Sequence, residues 1–396
     1  MNILSSVASF FASIALFFSS LFGGVTSAPD NQTALAPEDT LASAASATST
    51  LGQKTYSDSE LLAMARDAFS SGVVPLGDYK YVTSGAKKGY VYLCSARKDN
   101  PGSMTLGPWV SGDIWNFKQK VTVDGSVTWK NATFAQTLSG AYRTLTGNDL
   151  PINHTTGVFP VAASDDAHQY DANPNTISSQ QLNVQLPAKP TYSSTPYCMG
   201  GEVGIMTTGV ALFNAFDAGL RDAPAHELQD TCGGHPQGTG EYHYHSLPSC
   251  LKDTSVKTVI GFAYDGFPIT GPVVSKGKYL TTSNLDECHG LTSEVMLDGK
   301  KTVSYHYVMT YDFPYSVSCF HGKPVTTGPS AGAPSKTQQG TAQGSQQPGG
   351  TPPQEALTAC SAKSAGASCS FTGERGETVS GTCQTPQGSL LVCVPR

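Results

Sequence analysis

Cys232-Gly-Gly-His235-Pro-Gln-Gly-Thr-Gly-Glu241-Tyr-His243-Tyr-His245-Ser-Leu-Pro-Ser-Cys250 gathers three of the chain's nine histidines into eleven residues between two cysteines. Extended backbone accounts for the spacing. Alternation with a period of two puts Glu241, His243 and His245 on one face of a strand, and Tyr242 and Tyr244 on the other. Imidazoles two residues apart then stand roughly 6.5 to 7 Å from each other along one face, which lets both rings converge on a single ion. His235, in a Gly/Pro-rich loop, is placed to fold back as a third ligand. Glu241 reads as a ligand or general base, with a solvated outward carboxylate as the plainer alternative.

The rest of the chain carries the same extended, turn-rich signature. Of its 396 residues 39% are hydrophobic, and 41 Gly and 25 Pro punctuate it, which favours a β protein with long linkers. Ser57-Asp-Ser-Glu60 forms a capping box ahead of Leu61, Met64, Ala65, Ala68 and Phe69 at helical spacing, predicting one helix over residues 57–71. Strand patterns follow at Tyr79–Thr83 and Gly89–Cys94. In Val121–Trp129 the Asp124-Gly125 pair between β-formers predicts a type I′ hairpin. No internal repeat is evident. The expected fold is mainly β: an antiparallel, sandwich-like, disulfide-containing domain with one N-terminal helix over residues 56–322, and a small Cys-rich C-terminal module.

The flanks read differently. Residues 1–28 hold an apolar run from about Val7 to Phe22 followed by small residues up to Ala28, the pattern of a signal peptide, although no Lys or Arg precedes the run. Its shortness and its serines argue against a stable membrane span. Residues 29–55 are a Ser/Thr/Ala-rich leader and residues 323–356 a Pro/Gly/Ser/Gln linker, both of a composition that cannot offset the entropy of ordering. Residues 357–396 form a unit too small to hold a core without staples.

The ten cysteines include no Cys-x-x-Cys pair, so disulfides in an oxidising compartment are preferred over a zinc module. Cys94, Cys198, Cys232, Cys250, Cys288 and Cys319 are expected to pair among themselves, with Cys232–Cys250 and Cys288–Cys319 favoured by nearness in sequence. Cys360, Cys369, Cys383 and Cys393 are expected to form a second closed set. Asn31, Asn131 and Asn153 are glycosylation sequons. A net charge of −6 with 14% charged residues and no basic stripe argues against a nucleic-acid partner.

Beyond the histidine cluster stand Asp230-Thr-Cys-Gly-Gly-His235, Asn148-Asp-Leu-Pro-Ile-Asn-His154, Gly261-Phe-Ala-Tyr-Asp265-Gly-Phe-Pro-Ile-Thr-Gly-Pro272, Tyr305-His306-Tyr307 and Phe313-Pro-Tyr-Ser-Val-Ser-Cys319. Together with Glu241-Tyr-His-Tyr-His245 this set resembles the YHYH-domain proteins, over roughly residues 90–322. The resemblance implies the domain, brings no established activity, and adds His306 and His154 as candidates for a fourth ligand. Three or four imidazoles with a carboxylate suit copper or zinc rather than Ca²⁺ or Mg²⁺.

Asp222, His226 and Asp230 are candidates to orient an imidazole. Asp265 reads as a tight-turn residue, and His168, His289 and His321 as surface residues. Neither a Gly-x-Ser-x-Gly nor a His-Glu-x-x-His motif occurs, so binding is favoured over catalysis. The expected function is a secreted or cell-wall-associated protein whose partners are a metal ion and wall material. A secreted metal-dependent hydrolase or oxidase, and a structural wall protein whose histidines only pack and hydrogen-bond, are the alternatives.

Overall fold

A computed structural model describes residues 53–67, 69–96 and 105–325, and farther on residues 356, 358–361, 363–372, 378–384 and 391–395. The expected signal peptide, nearly all of the leader and linker, and Asn31 lie outside the described residues. The chain divides into two compact units, Met1–Ala331 and Gly332–Arg396.

Nine strands build the central sheet of the first unit. They are β1 (Thr55–Tyr56), β2 (Glu202–Met206), β3 (Ala211–Phe213), β4 (Gly234–Pro236), β5 (Tyr242–Tyr244), β6 (Val259–Ala263), β7 (Pro268–Thr270), β8 (Gly290–Leu297) and β9 (Lys300–Val308). Their spatial order is β1-β8-β9-β7-β6-β2-β3-β5-β4. The mainly β expectation holds, and the sheet is mixed: β1–β8, β9–β7 and β3–β5 are parallel, the other pairs antiparallel. A three-stranded meander, Phe134–Ser139, Tyr142–Gly147 and Leu182–Pro187, is tied to it by buried Arg143. The Arg143 guanidinium donates two hydrogen bonds of 2.8 Å to Asp298 in the β8–β9 turn and lies 4.0 Å from the Phe262 ring centre.

The order of strands is symmetric about the β6–β2 pair, and so are the contacts. Gly204 pairs with Ala263 and Met206 with Gly261, while Thr207 donates to the Ile260 carbonyl (2.8 Å) and Tyr264 to that of Val203 (3.0 Å). The β2–β3 hairpin carries the same bulge and register as β6–β7, with Gly204 opposite Leu212 and Gly261 opposite Ile269. Farther out, Tyr244 lies beside Leu212 as Tyr307 lies beside Ile269. Each outer hairpin opens on the same turn. The carboxylate of Asp230 accepts from the N–H groups of Cys232 and Gly234 and from the Tyr242 hydroxyl; that of Asp286 accepts from Cys288, Gly290 and Tyr305. Gly234 and Gly290 are required there, since an added Cβ would lie 2.3 Å and 2.4 Å from the rings of Tyr242 and Tyr305.

A repeat is therefore present where the sequence shows none. Few side chains recur, and the segment between the turn and the Tyr-His-Tyr strand is twice as long in the second half, so no fixed period survives.

Three local expectations also change. The helix α1 spans Asp58–Met64, capped by Ser57 and Glu60 as expected. It stops at Ala65 because Arg66 takes up bridge hydrogen bonds with Tyr279 (2.9 and 3.0 Å). The strand patterns at Tyr79–Thr83 and Gly89–Cys94 shorten to residues 81–82 and 91–92, which pair in parallel. No hairpin forms at Asp124-Gly125: Val123 bridges to Asp230 and Val127 to Thr156, so the segment spends its backbone groups on other parts of the chain.

The disulfides of the first unit are Cys94–Cys198, Cys232–Cys250 and Cys288–Cys319. The second unit is a three-stranded antiparallel sheet, Ser368–Thr372, Thr378–Gln384 and Val392–Pro395, closed by Cys360–Cys383 and Cys369–Cys393 around its own small core. No helix among the described residues is long and apolar enough to cross a membrane.

The turn carboxylates give a stability test. Asp286→Ala leaves two backbone donors and a tyrosine hydroxyl without their acceptor and is expected to cost about 2–4 kcal/mol in urea unfolding, with Asp286→Asn costing less because its carbonyl still accepts. Equal stability of Asp286→Ala and the parent would contradict this role.

Candidate metal centre

β4 and β5 bring the cluster together. His235 pairs directly opposite His243 in the register, and His245 follows one residue beyond the end of β5. All three rings are buried, at 3 to 4% exposure, and one ring nitrogen from each lies within 4.8 Å of the others. Phe213, at the end of β3, covers His243 with ring centres 4.1 Å apart. Tyr242 and Tyr244 point to the opposite side, where their hydroxyls donate to Asp230 (2.8 Å) and Thr208 (3.3 Å).

The second nitrogen of each ring fixes what the first can do. His243 Nδ1 lies 3.1 Å from the Glu241 carbonyl and His245 Nδ1 2.6 Å from the Asn214 carbonyl. A carbonyl only accepts, so both Nδ1 atoms carry the hydrogen, and in the neutral rings both Nε2 atoms present bare lone pairs. Those two Nε2 atoms are 3.1 Å apart. Glu227 Oε2 joins them, 3.5 Å from Nε2 of both His235 and His245. Neither Glu227 Oε2 nor His235 Nε2 has a hydrogen-bond partner, although both are buried. His235 differs: its Nδ1 faces the Asn173 amide nitrogen, a donor, at 3.4 Å, so in the neutral ring its Nε2 holds the hydrogen and becomes a ligand atom only when that hydrogen moves to Nδ1.

Electrostatics favour neutral rings. Burial, then mutual repulsion, pushes His235 and His243 well below the usual imidazole range, and burial pushes His245 down to about 4. Burial raises Glu227 to about 8. Glu227 is presented by the end of the short helix α2 (Ala223–His226). The Lys120 ammonium holds that segment by donating to the carbonyls of Pro224 and Glu227 and to the Gln229 side chain. Burial lowers Lys120 to about 7.

Other residues expected at the site lie elsewhere. The Glu241 carboxylate accepts from Gln237, and only its backbone carbonyl serves the cluster. His154 Nε2 bonds the Tyr244 hydroxyl (2.6 Å), on the face turned away from His243. His306 is on β9, five strand spacings from β5, on the order of 24 Å. Both of its nitrogens are engaged, with the hydroxyls of Thr270 and Ser293 at 2.9 Å each. The structure brings neither histidine to the His235–His243–His245 cluster.

Asp222, His226 and Asp230 hold the fold instead. Asp222 accepts from Gly77 and Tyr315, His226 bonds Asp78, and Asp230 closes its turn. Asp265 does make the tight turn, accepting from Phe267, but it is wholly buried and also accepts from Tyr307 and Gly322. His289 and His321 are buried, not surface residues. His321 Nδ1 donates to the Ser193 carbonyl (2.7 Å), and its Nε2 faces Tyr192 and Asp286.

Glu227 was not legible as a member of the cluster: it precedes His235 by eight residues and carries no spacing signal. Asn131 and Asn153 are both exposed.

Fold and site together define a disulfide-linked, mainly β protein with a buried cluster of three histidines and a carboxylate. The family model for YHYH protein matches residues 183–278, a span that holds β2 to β7 and the whole cluster. Residues 183–278 are thus a YHYH domain. Comparison with curated proteins and with solved structures returned no match.

Burial holds His289 and His306 down to about 3. The unfolded chain protonates them near 6.5, so between about pH 6.5 and 3 the unfolded state binds more protons. Their contribution is complete above that window and is lost as pH falls through it, approaching ~1.4 kcal/mol per pH unit for each ring. In NMR, the imidazole C–H resonances of both are expected to hold their neutral positions down to pH 4. A midpoint above pH 5 for either ring would contradict this reading.

Proposed function

We propose that His235, His243, His245 and Glu227 bind one divalent transition-metal ion, copper or zinc, in a secreted YHYH-domain protein. One observation carries the reading: two Nε2 lone pairs, each fixed by a carbonyl on the far side of its ring, face one another at 3.1 Å beside a buried carboxylate oxygen. Acceptors converging in this way repel unless a cation lies between them. A proton on any of the three rings is disfavoured, since burial lowers all three imidazoles, and the proton that burial favours on Glu227 is the one an ion would displace. A metal ion fits. Tetrahedral coordination at about 2 Å separates ligand atoms by roughly 3.3 Å, and the contacts of 3.1 and 3.5 Å lie on either side of that value.

Four donors from the protein complete a tetrahedron and leave no position for substrate, which favours binding over a hydrolase or oxidase. Five disulfides and the N-terminal apolar run support an oxidising, extracellular destination, with the cell wall as one setting.

Elemental analysis of the purified chain after exposure to Zn²⁺ or Cu²⁺ is expected to find one equivalent. His243→Ala or His245→Ala abolishes it, and Glu227→Gln weakens binding by at least about tenfold. His306→Ala and His154→Ala leave the stoichiometry unchanged. A folded, metal-free parent protein under these conditions would leave the histidines with a purely structural role.

A further inference from the structure

The symmetry of the sheet allows the centre to be compared with its own counterpart. Gly234 pairs with Tyr244 and Gly290 with Tyr307, so the next pairs outward are His235 with His243 and Leu291 with His306. Val308 follows Tyr307 as His245 follows Tyr244, and Thr270 holds the place of Phe213. Where the first half gathers imidazoles, the second packs Leu291 and Val308 with Leu61, Val256, Leu280 and Leu285 in a separate apolar cluster. The one retained histidine, His306, is satisfied by the two hydroxyls of Thr270 and Ser293 and needs no ion.

The two edges of the sheet are also supported differently. In the second half β8 and β9 are eight and nine residues long, and β1 and α1, through Leu61, cover them. In the first half β4 and β5 have three residues each, and β4 is the terminal strand. A hairpin that short is marginal on its own. Besides the pairing of β5 with β3, the Asp230 turn and the Asn173 bond to the Pro236 carbonyl, it is reinforced by the Cys232–Cys250 disulfide and by the centre that joins β4, β5 and Glu227.

We infer that the two halves are copies of one duplicated unit, and that the metal in the first takes the structural place of the Leu61–Leu291–Val308 core in the second: it clamps the edge hairpin and Glu227 together. This role rests on the metal reading above.

Hydrogen exchange on the full chain, with and without a chelator, tests the clamp. Chelation is expected to accelerate amide exchange in residues 227–245 by about tenfold or more and to leave residues 290–308 unchanged. The double variant His235→Leu/His245→Val, which installs the second half's side chains, is expected to fold without metal and to exchange independently of chelator. If the parent chain binds no metal, the proposed function itself fails. If it binds one equivalent and chelation leaves residues 227–245 as protected as before, the metal reading stands and the clamp is overturned. Should the double variant fail to fold, the two positions are not interchangeable and the duplication argument loses its support, while the exchange data on the parent still decide the clamp.

Discussion

A carboxylate set into a turn calls for donors, and this domain meets that demand twice with the same arrangement, once buried at Asp230 and once partly exposed at Asp286. Asp230 and Asp286 each accept from two backbone N–H groups two and four residues ahead, then from the first tyrosine of a Tyr-His-Tyr strand. A buried acceptor without partners costs on the order of 1–3 kcal/mol, more when charged, so the turn and the strand are held in register by one group. The second tyrosine is anchored in the same way, Tyr244 by Thr208 and Tyr307 by Asp265 (2.6 Å). With both tyrosines committed to one side, the histidine between them is driven to the other. Both tyrosine anchors are thus upstream of the chemistry.

What that histidine meets differs between the halves. His306 meets two hydroxyls, each able to donate or accept, and a neutral ring is fully satisfied. His243 meets the bare Nε2 of His245, which itself faces the Glu227 carboxyl, and neither of the two facing ring nitrogens carries a hydrogen to give the other. The same strand geometry therefore yields a satisfied core histidine in one place and a pair of facing ring nitrogens in the other. The differences include His for Leu, His for Val and Phe for Thr.

Lys120 and α2 belong to the same balance. A buried ammonium is costly unless its donors are used, and Lys120 uses them on the carbonyls and amide of the segment that carries Glu227. His226, paired with Asp78, fixes the other side of that segment (2.9 Å). Glu227 reaches the histidines because its backbone is held from both sides, and its own spacing in the chain contributes nothing.

The sequence by itself determined the β character, the position and cap of the first helix, and the face that gathers His243 and His245. Each follows from a short-range rule: turn residues, a capping box, or the period of a strand. It also supplied His235, because a Gly/Pro loop beside a strand has few places to go. Only the tertiary structure decided that Glu241 turns away, that His154 and His306 serve tyrosine and hydroxyl partners, and that Glu227 arrives instead. These outcomes depend on which strands become neighbours. The repeat, too, became visible only in hydrogen-bond registers, because backbone pairing conserves geometry while inserted residues and changed side chains erase the period.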